Sequence, residues 1–307
     1  MEYQNLKKLK EKYDKGINIT SYIKELEKNK NNSLNSIEIS YDLQAGSYID
    51  IVKNKPHQFN AYCDDISDIL SRYILEGDRI LDCGTGEMTT LSFVAKKSFT
   101  AASRIYCFDL SLSRVIFGVK FAKEFLKRAL FEKVEPFIAE LSRIPMLDKS
   151  IDVVWTSHAL EPNHGREKEI LSEIFRVARR KVILFEPSYE NNTTIGKKRM
   201  EDLGYIRGLE SQIESLGGVI EDMIRLDSRA KAVNPTYAYI IHPHAQNNLL
   251  KTTNNNVYAC PTTKTPLIKS EHNFFYSEDS MLAYPIMSDI PILRSNKAIV
   301  ACHSEKY

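Results

Sequence analysis

In 307 residues no apolar run approaches the roughly 18–20 that a membrane-crossing helix needs. The first thirty residues carry charges of both signs and no apolar signal core, so a cytoplasmic location is the expectation. Charge of one sign is not in excess: 42 Lys and Arg stand against 40 Asp and Glu, and a net charge of +2 gives no general reason to expect nucleic acid or a membrane surface as partner. Paired cysteines are missing as well. Cys63, Cys83, Cys107, Cys260 and Cys302 are scattered, none in a C-x-x-C pair, and read as reduced and mostly buried thiols rather than a disulfide framework. There are no internal repeats. What remains is a soluble globular composition, long enough for one large or two modest domains.

The pattern along the chain divides it. Residues 1–75 are helical in spacing and rich in Lys and Glu. Two short helices broken near Gly16 are followed by a polar loop at 29–35 and by a helix over 64–75. From Gly77 apolar, β-branched runs alternate with helical stretches. Strands are expected near 80–81, 104–108, 135–139, 151–156 and 182–185, and helices at 88–97, 113–130, 166–179 and 201–216. Residues 219–226 and 236–241 follow one another without a helix and should pair as antiparallel neighbours. The alternation implies an α/β fold, a doubly wound sheet of seven strands with helices on both faces and ligands at the carboxyl ends of its strands. Residues 244–256 read as a polar linker, and 257–307, with prolines at 261, 266, 285 and 291, as a small β-rich module leaning on the main domain.

The chemistry begins at Arg79-Ile80-Leu81-Asp82-Cys83-Gly84-Thr85-Gly86-Glu87. An apolar strand runs into a carboxylate and two glycines, where backbone must approach a ligand closely. A dinucleotide-binding turn would carry a third glycine at position 89, and Thr89 stands there, which disfavours nicotinamide and flavin enzymes. Asp109 ends the next strand, where a carboxylate can accept both hydroxyls of a ribose; the competing role is a cap on the following helix. Ala139-Glu140-Leu141-Ser142-Arg143-Ile144-Pro145 follows the third strand and could read a purine edge. Asp152-Val153-Val154-Trp155-Thr156-Ser157-His158-Ala159-Leu160-Glu161 places small and polar side chains at the mouth of the fourth.

These motifs, in this order over about residues 75–243, resemble those of the class I S-adenosylmethionine-dependent methyltransferases. The resemblance implies a seven-stranded sheet with a reversed last hairpin and S-adenosyl-L-methionine as cofactor. It implies that Asp82, Gly84 and Gly86 contact the amino-acid end of that cofactor, that Asp109 holds the ribose with Leu110 against the adenine, and that Glu140 and Leu141 lie at the adenine edge. Thr156 and His158 would then sit between cofactor and acceptor, with Cys83 buried and unreactive.

The segments Tyr258-Ala259-Cys260-Pro261 and Tyr284-Pro285-Ile286-Met287-Ser288-Asp289-Ile290-Pro291 resemble the small zinc-ribbon-type domain that accompanies some RNA and protein methyltransferases. Ile290 replaces that motif's glycine and no second cysteine stands near Cys260. Cys260, Cys302, His272 and His303 lack paired ligand spacing, so a metal-free, degenerate module is expected.

His158 is the candidate general base for a hydroxyl acceptor, with Glu161 and His164 on the following loop as weaker ones. The first 75 residues should cover the pocket as a lid, with Tyr41, Asp42, Gln44 and Tyr48 over cofactor and acceptor. The acceptor expected is a small molecule, a glycan or a lipid-linked intermediate. RNA or protein is the alternative within the same chemistry, and a cofactor-binding module without catalysis is the alternative outside it.

Overall fold

The computed structural model describes residues 5–229, 233–243 and 256–303; the expected linker lies almost wholly outside them. Five helices come first: α1 (Leu6–Asp14), α2 (Ile19–Leu26), α3 (Leu34–Leu43), α4 (Ser47–Asn54) and α5 (Pro56–Leu70). Gly16 breaks α1 from α2 at φ +80°, and side-chain caps from Asn18 and Ser33 start α2 and α3. The last of the five begins eight residues ahead of the spacing over 64–75, because Pro56 at its first turn fixes a helical φ and lacks only an N–H that would go unpaired.

The α/β body follows as β1 (Arg79–Cys83), α6 (Thr89–Ser98), β2 (Arg104–Asp109), α7 (Leu112–Phe125), α8 (Arg128–Phe131), β3 (Val134–Ile138), β4 (Ile151–Ser157), α9 (Glu167–Val177), β5 (Ala178–Pro187), α10 (Thr194–Leu203), α11 (Leu209–Ser215), β6 (Val219–Arg225) and β7 (Thr236–His242). The seven strands form one sheet in the order β3-β2-β1-β4-β5-β7-β6. β1 to β5 are parallel, and β7 is antiparallel to both its neighbours, the reversed hairpin that was expected; between β6 and β7 the described residues hold only a short 3-10 turn, Asp227–Arg229. Two expected helices are each two. The stretch 113–130 breaks where Leu126 turns extended. The stretch 201–216 breaks between Gly204 and Gly208, both at positive φ, which cap the helices on either side.

Alternate strand residues feed two cores, as a strand's two-residue period demands. Ile80, Ile105, Val153, Trp155, Ile183 and Phe185 pack under α5, α6 and α7. Leu81, Phe108, Phe137, Val154 and Leu184 face the other way, onto α9 and α11. No helix connects β3 to β4, so that second face would lie open over β2 and β3. The C-terminal segment covers it. It builds β8 (Ile268–Lys269), β9 (Phe274–Ser277), β10 (Leu282–Met287), β11 (Ile290–Pro291) and β12 (Ile299–Val300), a small antiparallel sheet. Tyr258 lies edge-on to Tyr106 and Phe137 and meets Phe275 at 5.3 Å. Ile292 continues the main sheet beside Ile138, whose carbonyl accepts the N–H of Leu293 at 2.8 Å.

Among the described residues no group of three or more His, Cys, Asp or Glu is placed to hold a metal ion. Cys260 is buried and Cys302 exposed, and the Cys260 sulfur is met by the Thr263 N–H and the hydroxyls of Ser280 and Tyr284.

Candidate functional site

The sheet order reverses at β1, whose neighbours are β2 on one side and β4 on the other. The crevice at a parallel sheet's carboxyl edge opens at such a point. The turn after β1 is built for close approach. Gly84 has φ +79°, and a Cβ there would stand 2.4 Å from the Ala159 Cβ; Gly86 has φ +56°, and a Cβ there would stand 2.5 Å from the Arg114 guanidinium. The N–H groups of Gly84 and Thr85 both reach the Phe108 carbonyl, which ties the turn to the end of β2.

Asp109 receives this turn. Its carboxylate accepts the Gly86 N–H at 2.9 Å through Oδ2 and the Ser111 N–H at 3.0 Å through Oδ1. A carboxylate has about four lone-pair directions, so each oxygen keeps one for a ligand. Capping of the following helix falls instead to Ser111, whose Oγ accepts the Arg114 N–H at 3.1 Å. Asp82 lies beneath the turn, and burial, with the Asp109 charge adding to it, pushes its carboxyl up to about 7.

A cavity opens in front of these groups. Gly84, Asp109, Leu110, Glu140, Leu141 and His158 line it, with Tyr41 and Arg114 closing it from α3 and α7. Asp82, Gly86 and Thr156 do not reach its surface. Thr156 is fully buried behind it, and Arg114 covers Gly86. With α3 in place the cavity holds about 80 Å³, below the several hundred typical of a site for a drug-sized ligand. Its donor set nonetheless suits an adenosine: a buried carboxylate with spare lone pairs, apolar contacts from Leu110 and Leu141, and glycine backbone beside them.

A second cavity of about 440 Å³ adjoins the first, and Tyr41 and Pro162 line both. Gln44, Tyr48, Glu161 and Tyr205 lie in its walls, with the turn between α1 and α2 above. Asp42, expected over the pocket, turns away from it: its carboxylate accepts from the Ser111 and Ser113 hydroxyls at 2.6 and 3.0 Å. His164 lines neither cavity. Its ring pairs with Glu167 at 2.7 Å, because the loop carries it past the pocket toward α9.

His158 lines the first cavity at φ +54°, and its partner Glu161 lines the second. Its Nδ1 pairs with Glu161, and its Nε2 lies 3.1 Å from the Thr236 hydroxyl. Both ring nitrogens are therefore engaged by the protein. Burial raises Glu161, but the adjacent His158 and hydrogen bonds from Asn234 and Tyr205 outweigh it and hold the carboxyl below its usual range.

Sequence reasoning missed Glu186. It stands last but one in β5, fully buried, and accepts the N–H groups of Ala159 and Leu160 at 3.0 and 3.2 Å. Those two donors converge because His158 is left-handed. Burial, opposed by His158 and assisted by the Glu161 charge, pushes Glu186 up to about 7. A carboxylate directly after the apolar run 182–185 was the available signal.

Residues 81–185 match the family model described as a methyltransferase domain. No curated protein matches the sequence. Solved structures of similar shape include the cyclase SpnF (17% identity, covering 60% of this chain and 81% of that one, TM-score 0.49). They also include the magnesium protoporphyrin IX methyltransferase of Synechocystis PCC 6803 with bound SAH (16% identity, 62% and 86%, TM-score 0.49). A third is the geranyl diphosphate C-methyltransferase of Streptomyces coelicolor A3(2) (11% identity, 59% and 80%, TM-score 0.46).

Proposed function

We propose that this chain, a class I S-adenosylmethionine-dependent methyltransferase, passes its methyl group to a small-molecule acceptor held in the 440 Å³ pocket beside Tyr41. The observation that carries this reading is the pocket's form. It is walled by α3, α4, the turn between α1 and α2 and the loop after β4, and among the described residues none that lines it is Lys or Arg. A nucleic-acid acceptor would need basic side chains to meet its phosphates, and the lysines at positions 7, 8, 10 and 12 lie on α1, away from the pocket lining.

The cofactor supplies a methyl carbon on a sulfonium, whose neutral leaving group makes displacement easy once the partners are aligned. The chain's own residues do the aligning. Asp109 offers its spare lone pairs to the ribose hydroxyls, Leu110 packs on the adenine, and Glu140 and Leu141 lie at its edge. Gly84 and Gly86, with Asp82 beneath, shape the amino-acid end, and Thr156 supports the wall from behind. Tyr41, Gln44 and Tyr48 cover the acceptor side, and His158 with Glu161 forms the partition between the two cavities.

The reading is tested by supplying labelled S-adenosylmethionine and following label into the small-molecule, RNA and protein fractions of a cell extract. Label confined to RNA or protein would overturn it.

A further inference from the structure

The pocket beside Tyr41 has a marked electrostatic character. Among the described residues four tyrosines line it, Tyr13, Tyr41, Tyr48 and Tyr205, together with one carboxylate, Glu161, and no cationic side chain. Its other polar linings, such as Asn18, Asn32 and Gln44, are neutral. Two guanidinium groups stand behind the tyrosines without lining the pocket: Arg114 is 4.6 Å from the Tyr48 ring centre, and Arg199 is 5.5 Å from that of Tyr205. An anionic acceptor would meet the Glu161 carboxylate with no counter-ion on the pocket surface. A cationic one would meet that carboxylate and aromatic faces, both attractive.

His158 supplies the second observation. A hydroxyl acceptor gains from a base at its oxygen, yet one ring nitrogen is held by Glu161 and the other by Thr236. Neither is left to take a proton from a substrate. An amine in its neutral form needs no base for the transfer itself.

We infer that the acceptor is a small amine, with Glu161 as its counter-ion and tyrosine rings as its walls; this rests on the reading of the pocket as the acceptor site. The amine arrives protonated, drawn by Glu161, and gives its proton to water. The lone pair of the neutral nitrogen then forms the bond to the methyl carbon. The carbon–sulfur bond breaks with its pair left on sulfur, and the positive charge passes from sulfur to nitrogen, where it again faces Glu161. A hydrogen remaining on that nitrogen leaves to water afterwards.

The test uses the full chain saturated with S-adenosylhomocysteine and reads the binding of tetramethylammonium, tert-butanol and acetate by calorimetry. Tetramethylammonium should bind and acetate should not, with tert-butanol weaker than the cation. Glu161→Gln should weaken tetramethylammonium at least tenfold. Tyr48→Leu, at a half-exposed position that the fold tolerates, should weaken it several-fold while S-adenosylhomocysteine affinity stays within twofold. Binding of acetate in place of the cation, or equal affinity of wild type and both variants for tetramethylammonium, would overturn the amine. S-adenosylhomocysteine binding with no tetramethylammonium binding would remove the amine and leave methyl transfer standing. Failure of S-adenosylhomocysteine to bind would remove both.

Discussion

The carboxylate of Glu87 accepts the backbone N–H of Ile49 at 2.9 Å, so the acid that ends the glycine turn holds the first turn of α4. The contact is reciprocated across the crevice: Asp42, from the end of α3, accepts the N–H of Ser113 at 3.2 Å and the Ser113 hydroxyl at 3.0 Å in the first turn of α7. Each carboxylate sits where a helix presents unpaired N–H groups and a partial positive charge. The helical cover and the α/β body are therefore latched twice, once at α4 and once at α7.

The Glu87 latch should be measurable by hydrogen exchange. Glu87→Gln keeps the shape and removes the charge that faces both α4 and Arg114, which lies 3.7 Å away. Exchange of the amides of residues 47–50 should accelerate about tenfold, as a loss of about 1.4 kcal/mol in local stability implies. Unchanged exchange there would mean that α4 is held by packing alone.

Asp109 should dominate the ribose end of the proposed cofactor contact. Asp109→Ala removes the acceptor of the Gly86 and Ser111 N–H groups as well as the spare lone pairs. S-adenosylhomocysteine affinity should fall more than tenfold, about 1.4 kcal/mol or more, and calorimetry reads it directly. An affinity equal to wild type would remove the ribose assignment.

The alternation of strand and helix was legible because the buried parallel strands are short apolar runs set between helical stretches, and two of them end in a carboxylate, as Leu81-Asp82 and Phe108-Asp109 do. The glycine turn was legible for the same reason, since positive φ at Gly84 and Gly86 leaves few alternatives. Groups that act across long separations carried no local signal. Glu186 reaches the loop after β4 and Thr236 reaches His158 through the sheet order, and Asp42 reaches α7 only because α3 packs on it. His164 misled because a histidine six residues after His158 looks equally close to the strand mouth, yet the loop takes it to Glu167.

Gly84 should tolerate no side chain. Alanine there combines a positive φ with a Cβ 2.4 Å from that of Ala159. The left-handed conformation alone costs about 1–2 kcal/mol, and the clash pushes the Ala159 loop off Glu186. Gly84→Ala should lower Tm by several degrees and remove detectable S-adenosylhomocysteine binding, whereas Gly217→Ala, where no atom lies within 4 Å, should lower Tm only through its φ of +78°. Equal cofactor affinity in the two variants would count against close approach at Gly84.

Stability should fall as pH rises toward neutrality. Asp82 and Glu186 are both pushed up to about 7 by burial, so the folded state keeps protons that the unfolded chain has released by about pH 5. Their contribution is complete below the ordinary carboxyl range and is lost as pH rises through about 7. Glu161 and Glu173 are held below their usual range and act only at lower pH. Denaturant unfolding of the cofactor-free protein should show a decline between about pH 4 and 7, and Glu186→Gln should make it shallower, leaving the part due to Asp82. An identical slope in that variant would show Glu186 ionised throughout.

The tie between the C-terminal module and the helical cover should be asymmetric. Arg294 is 1% exposed, and its guanidinium meets Glu38 of α3 twice, Nη1 to Oε1 at 2.7 Å and Nη2 to Oε2 at 2.9 Å. Glu38 is less deeply placed, with 21% of its side chain exposed and Lys297 at 3.7 Å as a second cation. Glu38→Ala therefore strands a buried charge and should cost about 3 kcal/mol or more. Arg294→Ala leaves a carboxylate with water and a lysine within reach and should cost about half as much. A double-mutant cycle over thermal unfolding measures the difference, and the double variant should be no less stable than Glu38→Ala alone, because the stranded guanidinium is gone. Since α3 also carries Tyr41, the Glu38 variant should lose S-adenosylhomocysteine affinity, an effect that a module serving only to cover β2 and β3 would not produce. Equal costs for the two single variants, with cofactor affinity unchanged, would reduce the module to that covering role.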